Sequence, residues 1–229
     1  MLTDVQPYSS TLPRSAHFHN TIIVNNTSQR FGDGTGDMLR AETDKPGYVY
    51  ALGDASDAYW TNPGEYSHGD EKLVDVYQRE LVHIMPGYVV AFDRISLASK
   101  FASADVRSLF HYPYTKPTLS GDTWVATNGP NRVFHRILTP ASPTLSWVDE
   151  NGLSTDRMET WRMEIKDPVA KPSYQFLNVF YAAKATTSAM PATARITSTD
   201  GNMVGAVSRD PGREHVVMFS ADPQGLPPQ

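Results

Sequence analysis

Two histidines, His17 and His19, stand one residue apart in Arg14-Ser15-Ala16-His17-Phe18-His19-Asn20-Thr21, directly before the apolar run Ile22-Ile23-Val24. Side chains alternate between the two faces of a β-strand, so the pattern predicts both imidazoles on one face and Phe18 on the other. Two imidazoles roughly 7 Å apart along a strand face can share a metal, or divide metal binding and catalysis between them. The same spacing suits two ordinary surface histidines at a strand entrance, so the rest of the chain has to decide.

Composition narrows the chemistry. The chain has 229 residues and no cysteine. Disulfides and thiolate metal sites are excluded, and a metal would have to be held by His, Asp, Glu, backbone carbonyls or water. A net charge of −5 argues against a general nucleic-acid binder, which would need a broad basic face. A local cluster can still bind an anionic polymer, and Arg14, His17, His19, Arg30 and Arg40 lie close in sequence, with Asp33 and Asp37 among them. No apolar run approaches the ~20 residues that span a bilayer, so no membrane partner is expected. The opening Met1-Leu2-Thr3-Asp4-Val5-Gln6-Pro7 has neither a basic nor an apolar signal region, so no signal peptide is visible.

The elements that must position these residues read as strands. Short β-branched and aromatic runs recur every 10–15 residues between turn signals, with little helical periodicity. Residues 21–25 end in the turn-forming pair Asn25-Asn26, and residues 31–37 hold three glycines and read as a loop. Segments 73–85 and 88–97 flank Pro86-Gly87 as a hairpin. Neither of its faces is purely apolar, which places it near a sheet edge or under a partner domain. Further strands are expected at 106–112, 123–127, 132–138, 144–148, 160–165 and 175–182. Residues 195–199 and 203–207 should pair across Asp200-Gly201-Asn202, and the last strand is 215–220. About a dozen strands predict an all-β fold, an antiparallel β-sandwich or stacked sheets, over residues 1–222 as one domain. Residues 223–229 read as a disordered Pro-rich tail. His83, His111, His135 and His215 fall within or at the start of strands and read as structural.

His-Phe-His-Asn-Thr before a hydrophobic strand resembles the opening of the C-terminal β-sheet domain of the heparinase II/III-like polysaccharide lyases, which include heparin/heparan and oligoalginate lyases. The stretch from Tyr77-Gln78-Arg79-Glu80-Leu81-Val82 to Val89-Val90-Ala91-Phe92-Asp93-Arg94-Ile95 is similar to the Arg-bearing hairpin of that domain, and Phe110-His111 resembles a further strand. The resemblance covers roughly residues 14–140 by motif and the remainder only by strand pattern.

The resemblance implies a structural zinc held by His19, Asp37 and His68, with Asp33 as the competing carboxylate, and it implies a catalytic role for His17. Arg14 and Asn20, which flank the pair, are then the expected substrate contacts. The reaction implied is β-elimination at a uronic acid of an acidic polysaccharide or oligosaccharide, for which an imidazole is suited as base or neutralising group. The family's other active-site residues come from an α/α toroid, for which this chain has no room and no run of amphipathic helices. A toroid domain or subunit would therefore be the partner, and the parent is expected to be periplasmic or secreted. A non-catalytic carbohydrate-binding or packing module is the alternative.

Overall fold

The computed structural model describes residues 15–30, 36–62, 70–152 and 160–224. Among these lie fifteen strands in three antiparallel sheets. The first half of the chain supplies β1 (Ile22–Val24), β2 (Asp37–Glu42), β3 (Tyr48–Asp54), β4 (Val74–Ile84), β5 (Tyr88–Leu97), β6 (Val106–Pro113) and β7 (Thr118–Ser120). The second half supplies β8 (Thr123–Asn128), β9 (Asn131–Thr139), β10 (Thr144–Asp149), β11 (Thr160–Lys166), β12 (Ser173–Lys184), β13 (Ala192–Thr197), β14 (Met203–Asp210) and β15 (Arg213–Ser220).

The order β2-β3-β4-β5-β12-β9-β8-β7 makes an eight-stranded sheet, which is the middle of three layers. The sheet β1-β6-β11-β10 covers one face and the sheet β13-β14-β15 the other. Strand alternation in β5 shows how one strand serves both layers. Ala91 and Ile95 join Phe110, Met163 and Phe176 in the larger core, while Val90 and Phe92 join Val204, Ala206 and Phe219 in the smaller one. A strand buried on both faces reads as nearly continuous apolar sequence, as 88–92 does. Phe92 stacks on Phe219 with ring centroids 5.0 Å apart, and each large side chain so buried contributes about 1.5–3 kcal/mol.

The all-β layered architecture matches the expectation, as do the hairpins at Pro86-Gly87 and at Asp200-Gly201-Asn202. Asn25 and Asn26 take left-handed conformations, φ 49° and 58°, in a tight turn closed by the Thr27 amide on the Val24 carbonyl. Two expectations need correction. The 73–97 hairpin is not at a sheet edge: β4 and β5 are interior strands covered on both sides. Its mixed faces arise because its charges pair with one another. Arg79 lies opposite Asp93, and Gln78 and Glu80 both reach Arg94. Asp37 does not lie in a loop but opens β2, opposite Asp54. Residues 225–229, part of the expected tail, lie outside the described residues, as do Arg14, Asp33 and His68.

Candidate functional site

His17 and His19 are not presented by a strand. Ala16–Phe18 is a single 3-10 turn capped by Ser15, whose side chain accepts the His17 amide, and the first strand begins only at Ile22. The amides of Phe18 and His19 donate to the carbonyls of Ser15 and Ala16, so local bonds replace a strand neighbour. The imidazoles therefore do not share a pleated face.

The His17 ring is gripped at both nitrogens. Nδ1 lies 2.8 Å from Ser15 Oγ and Nε2 lies 3.0 Å from Asn26 Oδ1. With the proton on Nε2, the ring donates to Asn26 and accepts from the serine hydroxyl. Ser15 is next to a turn and Asn26 sits in the tight turn after β1, so two local motifs aim one half-buried imidazole.

A strap outside any sheet must find partners for its own carbonyls, and here buried side chains supply them. The His17 carbonyl accepts from His111 Nε2 at 2.9 Å and from Arg162 Nη1 at 3.1 Å. The Asn20 carbonyl accepts from Arg79 Nη1, and where the strap enters β1 the Ile22 carbonyl accepts from the Tyr59 hydroxyl at 3.0 Å. Asn20 also uses its side-chain oxygen, which accepts the His111 amide at 2.8 Å and ties the strap to β6. Asn20 is thus placed as an anchor of the strap.

Beneath it, the outward face of the four-stranded sheet carries a charged network. Arg162 pairs with Glu150 and, at 2.9 Å, with Glu164, which also receives Arg107 at 2.8 Å. His111, fully buried, lies 3.6 Å from Glu150. Burial raises the Glu164 pKa, but the Arg107 hydrogen bond and the Arg162 charge outweigh it and hold the carboxyl below its ordinary value. On the opposite side of the strap, burial opposes the Arg79 charge while Asp93 more than offsets it, so Arg79 stays cationic.

Asp37 borders a cleft of about 390 Å³ with Thr21, Gln29, Asp54, Tyr77 and Arg79. The strap's end and the first residue of β2 therefore meet at one opening. Among the described residues no three His, Asp or Glu side chains converge as a metal site, and His68 and Asp33 are not among them. Ser15, Asn26, Arg79, Glu150 and Arg162 were not expected at the site. Arg79 faces Asp93 because the turn takes three residues, Met85-Pro86-Gly87; a two-residue Pro86-Gly87 turn would have set it opposite Arg94, so this pair was not readable from the expected turn.

The three-layered antiparallel β fold is shared with solved heparinase structures. The chain superposes on heparan sulfate lyase HepC from Pedobacter heparinus with a TM-score of 0.67 and 11% identity, over 90% of this chain and 31% of that one. A heparinase III gives a TM-score of 0.65 at 13% identity, again over 90% of this chain and 31% of the other. The chain thus spans about a third of the length of these structures. No protein-family profile and no curated protein sequence matches it.

Proposed function

We propose that this chain is the β-sheet domain of a polysaccharide lyase that cleaves a uronic-acid-containing polysaccharide by β-elimination. The observation that carries this reading is a half-buried imidazole, His17, locked at ring and carbonyl on a fold shared with heparan sulfate lyases. In the reaction a base takes the proton at C5, the electron pair forms the C4–C5 double bond, and the C4–oxygen bond breaks. An acid then protonates the departing oxygen. His17 would neutralise the uronate carboxylate or take the proton, with Nε2 exchanging its exposed partner Asn26 for substrate. An α/α toroid domain or subunit would supply the remaining groups, and the parent would be periplasmic or secreted. Among the described residues no helix is long and apolar enough to cross a membrane.

The test is formation of unsaturated uronate, followed by its ultraviolet absorbance, in the protein that carries this domain. His17→Ala should lower the rate by roughly a hundredfold or more without changing the melting temperature. An unchanged rate removes His17 from the mechanism. Because both ring nitrogens already have partners, a non-catalytic carbohydrate-binding module is the second reading. Saturable uronate binding with no product in the complete protein would favour it.

The same reading includes a structural zinc on His19, Asp37 and His68. Two imidazoles and a carboxylate are a zinc donor set, and Asp37 opens on the cleft that Thr21 shares with the end of the strap. Bound there, the ion would pin strap to β2 and so fix the His17 turn. Elemental analysis should find one zinc per chain, lost in His19→Ala. A metal-free, folded wild type would overturn the assignment.

A further inference from the structure

We propose that the end of the sandwich where β6 turns toward β7 is a separate binding site for an acidic saccharide. In it Lys116 pairs with a sugar carboxylate and Tyr114 stacks on the pyranose ring. The choice of uronates as ligand rests on the lyase reading; the site itself rests on its own geometry.

Tyr114 sits at the centre of a three-residue turn, with φ 62° and the Thr115 amide donating to the Pro113 carbonyl at 2.7 Å. That conformation is strained for any residue but glycine, and asparagine tolerates it better than an aromatic does. The strain is not offset by burial, since 51% of Tyr114 is exposed. A strained, exposed aromatic residue is the kind of feature that binding sites retain.

Two residues on, the exposed Lys116 ammonium lies 5.4 Å from the centre of the Trp147 ring and 5.3 Å from that of Trp161. The two indole faces attract the cation and hold it in place, but they do not neutralise it. It has no carboxylate partner among the described residues. Trp147 is braced in turn by Trp124, edge to face at 5.1 Å, and by Tyr112 at 6.0 Å. The ammonium is thus held on the indoles, two residues along the chain from the exposed Tyr114, with no protein carboxylate to use its hydrogen-bond donors among the described residues. A cation beside an aromatic face is what recognises a uronate, whose carboxylate seeks the charge and whose C–H face packs on the ring. A neutral hexose would use only the ring.

Trp161 shares its face of β11 with the core residues Met163 and Ile165, whereas Arg162, its neighbour, holds the His17 strap from the outer face. The two sites lie on opposite faces of the four-stranded sheet. A chain bound at Lys116 leaves the strap accessible.

Three of the four tryptophans gather here, so intrinsic fluorescence reports on this site. The experiment titrates the chain with a hexuronate tetrasaccharide, and in parallel with the neutral hexose tetrasaccharide of the same linkage. A saturable fluorescence change is expected with the uronate, with the neutral sugar at least about fivefold weaker. Lys116→Gln should weaken uronate binding about tenfold. Tyr114→Gly should weaken it several-fold while holding or raising the melting temperature, because glycine relieves the turn. The proposal is overturned if the wild type shows no saturable change, if the neutral sugar binds equally, or if Lys116→Gln binds as tightly as wild type. Lys116-dependent binding with no unsaturated product from any uronate polymer in the complete protein that carries this domain would sink the lyase reading and leave this site standing. Product formation with binding indifferent to Lys116 would do the reverse.

Discussion

Asp93→Ala is expected to destabilise the fold by about 3–5 kcal/mol in urea unfolding. The carboxylate is wholly inaccessible and receives Arg79 at both oxygens, Nε at 2.5 Å and Nη2 at 2.8 Å. The Tyr77 hydroxyl at 3.3 Å and the Ser108 hydroxyl at 3.4 Å complete its shell. Removing it strands a guanidinium between two sheets, and an unpaired buried charge costs far more than a lost surface bridge. The double variant Asp93→Ala/Arg79→Met should recover more than half of the loss, because the stranded charge goes with it. A single variant that loses less than about 1 kcal/mol would refute the account, as would a double variant no more stable than the single.

The consequence reaches the candidate site. Arg79 spends its third nitrogen on the Asn20 carbonyl, so the Asp93 carboxylate orients the group that holds the strap from within the sandwich. Arg162, fixed by Glu150 and Glu164, holds it from the outer face. A single imidazole is therefore aimed by two ion-pair networks on opposite faces of one sheet. The proposed elimination would draw on such preorganisation of the strap backbone, which a loose surface histidine would not require.

How much of this was readable in the chain follows from range. The 73–97 hairpin was legible because alternation, length and a Pro-Gly turn all agree within 25 residues. The Asn25-Asn26 turn was legible because few side chains tolerate its left-handed conformation. The His17 stretch misled: the β-branched run after it suggested an earlier strand, while Ser15, two residues before His17, was a capping signal that won locally. Strand β2 was hidden behind glycines. The charged network was beyond reach, since Arg162 meets the His17 carbonyl across 145 residues and no spacing rule links them. His111 and His135 were rightly read as structural, but only the fold shows that one supports the strap and the other the core.

His135 should make the fold sensitive to mild acid. Its ring is fully buried, stacked on Phe180 at 4.2 Å and edge-on to Phe110 at 5.2 Å. Nε2–H donates to Asn178 Oδ1 at 2.9 Å, which leaves Nδ1 to accept the Tyr112 hydroxyl at 2.5 Å. A second proton, on Nδ1, would turn the Tyr112 hydroxyl from donor to acceptor and place a cation in a buried ring stack between the two sheets. Burial pushes the pKa down to about 4, only partly opposed by the Asn178 hydrogen bond, against about 6.5 in the unfolded chain. Above pH 6.5 neither state binds the proton, so His135 makes stability independent of pH there. Between about 6.5 and 4 the unfolded chain takes the proton and the folded one does not, so stability falls as pH falls, by about 3 kcal/mol across the window. Glu164 and Asp167, whose pKa values are also lowered, act in the same sense but lose their stabilisation mainly at still lower pH. Urea unfolding from pH 7.5 to 4.5 should therefore show a steep loss in wild type and a much flatter curve in His135→Gln, which keeps a donor and an acceptor but cannot titrate. Parallel curves would mean that the buried imidazole is not the group that fails first in acid.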